Sequence, residues 1–266
     1  MNNLKTFFYS FIFSAITLLV IFGCVDVSLK TKSSETDTPQ QGIPMGMAGG
    51  EDSKTILLCV DEDFPYFFLF KFSAIENRVG IAALSPSLEI SEKSLAEIFS
   101  KAGGMQCLLD IEKEYQINID YYLQCSWRQL GKITGNMKPI EILSFRENLP
   151  DSIKYYLLKG VNILDGKSLI NAAEKAMGFL DNEIGLAFLA LSRHYLIENN
   201  IDILADNGSS ALKENYSGII TNINTTRLNR MNRILNFLAA SYVEYRSVVI
   251  RNDNTDKFEK MASIIQ

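Results

Sequence analysis

Two neighbouring stretches, Thr55–Val60 (TILLCV) and Pro65–Phe72 (PYFFLFKF), most limit what this chain can fold into. The first is a short, continuous apolar run, the pattern of a strand covered on both faces. The second is strand-like and aromatic throughout. Ala74–Gly80 (AIENRVG) supplies a polar turn and Ile81–Leu84 a returning arm, so 67–84 reads as a hairpin.

The remaining pattern interleaves helices with strands. Ser91–Ala102 places Leu95, Ile98 and Phe99 at helical spacing behind Ser91 as a cap, and Gly103-Gly104 breaks it. Met105–Tyr115 reads as a second helix, Ile119–Cys125 as a strand, and Ser126–Ile133 as a short helix carrying Trp127 and Leu130. Lys167–Met177 follows Asp165 as a helix, and Asn182–Ile197 follows Asp181 as another. The first three turns of that last helix are apolar around nearly all their circumference, which suits an interior position. Residues 199–223 are polar and Asn-rich, Thr225–Ser241 is amphipathic, and Val243–Ile250 reads as a terminal strand. The expected class is α/β, a sheet sandwiched by helices.

Ahead of this body, Phe7–Val25 holds no charge and follows a single Lys5. Nineteen residues at about 1.5 Å each just cross a hydrocarbon core of about 30 Å. The reading is an N-terminal membrane anchor or a lipoprotein signal over 1–25. Ile21-Phe22-Gly23-Cys24 resembles a lipobox with Cys24 as the lipidated residue. Either way the partner is the cytoplasmic membrane and the body lies outside it. Residues 26–53 are rich in Ser, Thr, Gln, Gly and Pro and read as a flexible linker, leaving 54–266 as the folded domain. The net charge is −5, and the linker holds −3 of it. This acidic balance excludes general nucleic-acid binding, which needs a basic surface. The single His194 excludes a His-rich metal site and any two-histidine mechanism. No Gly-x-Ser-x-Gly or phosphate-loop motif occurs.

Some residues have two readings. Asp61, Glu62 and Asp63 at the first strand's end are either carboxylates for Mg²⁺ or a solvated acidic turn. His194 is an acid/base or a structural histidine. Cys107 and Cys125 are candidates for a disulfide, whereas Cys59 reads as a small buried hydrophobe. Arg227, Arg230 and Arg233 share a helix face that either meets anionic headgroups or wall polymer or is simply solvated.

The order of pieces resembles the LytR-CpsA-Psr family of bacterial cell-envelope proteins. The matching pieces are Cys59-Val60-Asp61, the Phe67–Leu84 hairpin, Phe99–Gly104, Ile119-Asp120-Tyr121-Tyr122 and Gly160–Gly166 (GVNILDG). The resemblance implies an α-β-α sandwich with a central mixed sheet, extracytoplasmic and anchored in the membrane. It also implies an apolar cavity for a polyprenyl lipid. Active relatives transfer a glycopolymer from a polyprenyl pyrophosphate carrier to peptidoglycan with Mg²⁺. Their arginines suit that substrate, because guanidinium groups bind phosphate bidentately and stabilise a departing charge.

Those arginines are missing here. Ser85-Pro86-Ser87-Leu88 stands where the family has Pro-Arg-Asp, and Ala172-Ala173-Glu174-Lys175 where it has Ala-Arg-x-Arg. Behind Asp181, Ile184, Ala187 and Phe188 take the places of Arg, Arg and Gln, and Phe64-Pro65-Tyr66 replaces Ser-Asp-Thr. Asp61, Lys175 and Asp181 remain as candidate ligand-binding residues, with Asp61 the candidate for metal. The expectation is a non-catalytic relative without a cofactor, binding polyprenyl lipid or wall glycopolymer. The alternative is an active phosphotransferase using Mg²⁺.

Overall fold

The computed structural model describes residues 53–141, 163–164, 182–252 and 256–265. All lie within one unit, Ala48–Gln266. The candidate residues Cys24, Lys175 and Asp181, the proposed anchor and the helix expected at 167–177 fall outside the described residues.

The sheet is built around the apolar hairpin. Strands β1 (Ser53–Val60), β2 (Tyr66–Ser73) and β3 (Arg78–Leu84) pair antiparallel in sequence, with Cys59 opposite Phe67 and Phe67 opposite Leu84. A two-stranded β4 (Glu89–Ile90) and β5 (Lys93–Ser94) ribbon leads into helix α1 (Leu95–Tyr115). Strand β6 (Tyr121–Cys125) then pairs parallel to β1, and helix α2 (Trp127–Ile133) follows. Short strands β7 (Ile140–Glu141) and β8 (Ile163–Leu164) pair with each other. Helices α3 (Asn182–Glu198) and α4 (Ile201–Glu214), strand β9 (Ile220–Thr221), helix α5 (Thr225–Ala239), strand β10 (Glu244–Ile250) and helix α6 (Lys257–Ile265) complete the described chain. The main sheet runs β10-β3-β2-β1-β6-β9 and is mixed, because β6 and β10 add parallel to β1 and β3.

Each strand of the hairpin sends apolar side chains both ways, since alternate residues face opposite sides of a sheet. Leu57, Cys59, Phe67 and Leu69 pack with α1 and α6 in one core. Leu58, Val60, Phe68 and Phe70 pack with α2, α3, α4 and α5 in the other. The expected sandwich is therefore present as a mixed sheet with helices on both sides, and Leu57 and Val60 are fully buried as the continuous apolar run required.

Local chemistry sets several boundaries away from the sequence expectation. Ser94, not Ser91, caps α1 by accepting from Glu97 N–H, and Ser91 instead turns the β4–β5 ribbon at φ 51°. The break expected at Gly103-Gly104 is present within α1: Gly103 takes φ 74°, ψ −175°, outside the helical region, and a second helical run continues to Tyr115. Helix α4 occupies part of the stretch read only as polar and Asn-rich. Ser126 and Gln129 form the reciprocal capping box that starts α2. Cys59, Cys107 and Cys125 are free thiols, and Cys107 and Cys125 lie in cores on opposite sides of the sheet, so the candidate disulfide does not form.

Helix α6 seals one face through a close approach at Gly80. A Cβ there would sit 2.7 Å from the Ile264 carbonyl oxygen and 2.9 Å from its Cγ2. Gly80→Ala should therefore push α6 off β3 and lower stability by about 1–3 kcal/mol in urea unfolding. An unchanged midpoint would show that α6 does not need this contact.

Candidate ligand-binding cavity

The acidic turn after β1 is tied into the fold. Asp61 N–H donates to the Cys125 carbonyl at 2.9 Å, and Asp61 Oδ2 accepts from Gln124 Nε2 at 3.0 Å. Glu62 Oε1 accepts from Trp127 N–H at 2.9 Å, placing a carboxylate at the start of α2, where exposed helix N–H groups favour negative charge. Among the described residues no three metal-ligating side chains converge. Asp61 thus holds a strand end with one oxygen engaged, and the described donors do not by themselves compose an Mg²⁺ site. The Ser85–Leu88 stretch is turned inward on itself: the Ser85 and Ser87 hydroxyls are 2.8 Å apart and Leu88 is fully buried.

Among the described residues an apolar cavity lies on the opposite side of the sheet from α1. A cavity of about 200 Å³ is floored by Ile56, Leu58, Phe70, Phe72 and Leu123 of the sheet. Leu204, Gly208 and Leu212 of α4 and Leu228, Met231 and Leu235 of α5 wall it. Helix α2 adds Leu130 and Ile133, and α3 adds Leu196, Ile197 and Arg193. That volume is more than ten times what one water needs, yet an apolar lining gives water few partners.

Arg193 is the one charged residue among these described lining positions. It is 3% exposed. Its guanidinium lies 5.3 Å from the Trp127 ring centre and 5.9 Å from that of Phe68. Its Nε and Nη2 have no hydrogen-bond partner. Burial draws its pKa down to about 10, with Cys125 nearby acting the other way, so it is still a cation at neutral pH. Cys125 is itself pushed up to about 12 by burial, with Arg193 opposing. Sequence reasoning passed over Arg193 as the polar neighbour of His194. The available signal was helical spacing: Leu186, Ala190, Arg193 and Ile197 fall on one face, and all four are buried.

His194, one residue on, points elsewhere. Its Nδ1 is 3.2 Å from Ser247 Oγ and its Nε2 is 3.6 Å from Glu198. Its ring stacks on Tyr195 and lies against Tyr245. This is a structural histidine bridging α3 and β10. Arg227, Arg230 and Arg233 are exposed on α5, and Arg227 donates to the Asn222 carbonyl.

These features define a mixed α/β fold with an apolar cavity on one side of the sheet and a buried cation in its wall. Solved structures share that fold. TagT bound to LIIa-WTA superposes with a TM-score of 0.59 at 11% identity, covering 86% of this chain and 96% of that chain. The Lin1025 protein from Listeria innocua gives 0.56 at 12% identity, covering 74% of this chain and 82% of that chain. The transcriptional regulator yvhJ from Bacillus subtilis gives 0.56 at 12% identity, covering 81% and 96%. No family model and no curated protein matches the chain. The resemblance to the LytR-CpsA-Psr family, of which TagT is a member, therefore holds in fold. Among the described residues no helix is long and apolar enough to cross a membrane.

Burial lowers the pKa of His194 below 6.5, so the folded state holds it neutral. The unfolded chain then binds more protons as pH falls through that region, and the stability due to neutral His194 is lost from about pH 6.5 downward. Glu198, raised by its own burial, acts with the opposite sign from the carboxylate end of the range. His194→Gln should flatten the fall in melting temperature between about pH 7 and 5.5. An identical slope in the variant would show that His194 does not carry it.

Proposed function

We propose that this chain is a membrane-tethered, extracytoplasmic cell-envelope protein that binds a long apolar chain, such as a polyprenyl lipid, without turning over a pyrophosphate. The observation that carries this reading is the cavity between the sheet and α4–α5, lined almost wholly by aliphatic and aromatic side chains. Each methylene moved from water into such a lining contributes about 0.8 kcal/mol. The shared fold with TagT, solved bound to LIIa-WTA, supports a glycopolymer-linked ligand class. The uncharged Phe7–Val25 stretch supports the tether, with Cys24 as the acylation site if the stretch is a lipoprotein signal. Lys175 and Asp181 stay in the proposal as polar groups near the ligand, and Asp61 as an acceptor at the strand end.

The absence of turnover rests on electrostatics. A departing phosphate needs several aimed positive groups, and losing one such donor costs about 10²–10³ in rate. Here Ser87, Ile184 and Ala187 stand at the positions where the family has arginine, and none carries a positive charge. Purified protein with Mg²⁺ and a prenyl pyrophosphate should therefore release no phosphate while still binding the prenyl chain. Release that falls on Asp61→Ala would establish the transferase reading instead.

The cavity can be closed at one position. Gly208 lies on α4 in the lining, and a Cβ there would meet only Leu204 Cδ2 at 3.8 Å. Gly208→Leu should fill the space, abolish binding of a prenyl alcohol, and raise helix stability by up to about 1 kcal/mol. Retained binding in a folded variant would place the ligand elsewhere.

A further inference from the structure

Arg193 is a cation without a described counter-anion. A buried charge left unpaired is among the costliest features of an interior. The two rings beside it return part of that cost, because an aromatic face attracts a cation. They accept no conventional hydrogen bond, and Arg193 Nε and Nη2 remain unmatched. Trp127 Nε1, on the ring facing the guanidinium, is likewise buried with no acceptor. Every unmatched atom in this corner is a donor. A hydroxyl or primary amide brings donors as well as acceptors, whereas an ionised carboxylate brings acceptors only and carries the charge that balances the guanidinium.

The corner also has a position relative to the cavity. Trp127 begins α2 directly after β6, and Tyr66 at the start of β2 lies against it at 5.0 Å. The guanidinium therefore stands toward the carboxyl ends of the parallel pair β1 and β6, the end of an α/β sheet where ligands commonly bind. The apolar lining extends from it along the sheet to Ile56 and Phe72.

We propose that the Arg193 guanidinium is an anion site in the cavity wall, and that it takes the singly charged head of a long-chain amphiphile, a carboxylate. This rests on the lipid-cavity reading above and adds a head-group chemistry to it. One cation in a dry wall balances one negative charge. A pyrophosphate would bring further charges that no other described lining residue neutralises. Two guanidinium donors match a carboxylate's two oxygens.

The test compares oleate with oleyl alcohol, two ligands with the same chain, by calorimetry on the purified protein. Oleate should bind at least about tenfold more tightly, the effect of adding charge-assisted hydrogen bonds. In Arg193→Met the alcohol should bind as before while the advantage of oleate disappears. Arg193→Lys, which keeps the charge but not the fork, should restore part of it. Equal affinities for both ligands in the native protein would overturn the anion site and leave the cavity reading standing. An oleate advantage that persists in a folded Arg193→Met protein would also overturn it. Failure of both ligands to bind would overturn the cavity reading, and the anion site with it.

Discussion

The central hairpin is apolar on both faces, and that condition organises the rest of the molecule. Leu57, Cys59, Phe67 and Leu69 leave the sheet on one side, and Leu58, Val60, Phe68 and Phe70 on the other. At about 25 cal/mol per Å² of apolar surface, neither face can be left to water. The strands that flank the hairpin inherit the requirement, so β6 and β10 add in parallel and bring helices with them. Parallel addition needs a crossover, and each crossover supplies a cover. The order β10-β3-β2-β1-β6-β9 follows from placing the most apolar strands at the centre.

The two covers differ in kind. On one side α1 and α6 lie directly against the strands: Phe67 meets Phe99 edge-on at 5.4 Å, and Gly80 has no room even for a methyl group beneath Ile264. On the other side α4 and α5 are walls of a cavity. A dense side and a hollow side in one domain have different consequences. The first sets stability. The second gives up packing contacts that a filled core would gain, a sacrifice that makes sense where another molecule completes the packing.

The sheet was legible in the sequence because strand signals are local. TILLCV, PYFFLFKF and VEYRSVVI each carry their own pattern, and the hairpin register needs only the turn between them. The cavity was not legible in the same way. Its lining comes from four helices and the strands below them, and no stretch of sequence contains it. Helix α4 shows why part of its wall escaped notice. Only Ala205 and Leu212 are buried along its fourteen residues, and the stretch reads as polar and Asn-rich. Its helical state comes from packing on α5, not from strong propensity. The break at Gly103 was legible because its signal is local: two glycines interrupt the helix, and Gly104 N–H bonds to the distant side chain of Gln124.

Arg193 marks where local reading and folded context diverge furthest. Read by type, Ser192-Arg193-His194 is a polar patch closing an apolar helix. Read by phase, Arg193 continues the face of Leu186 and Ala190. The fold follows phase, because a helix cannot rotate one residue out of its stripe without rotating the rest. Leu186, Phe188 and Ala190 hold the helix in the interior, and Arg193 is carried in with them. A charge placed this way is costly in the empty protein and becomes favourable only when something meets it. The absence of the family arginines and the presence of this one therefore belong to one argument. The described residues lining the cavity include no cluster of positive groups with which to grip a polyanion. They include one well-buried cation in the wall. Electrostatics inside a low-dielectric cavity is unforgiving of surplus charge. The arrangement therefore selects for a single negative charge delivered on an apolar chain.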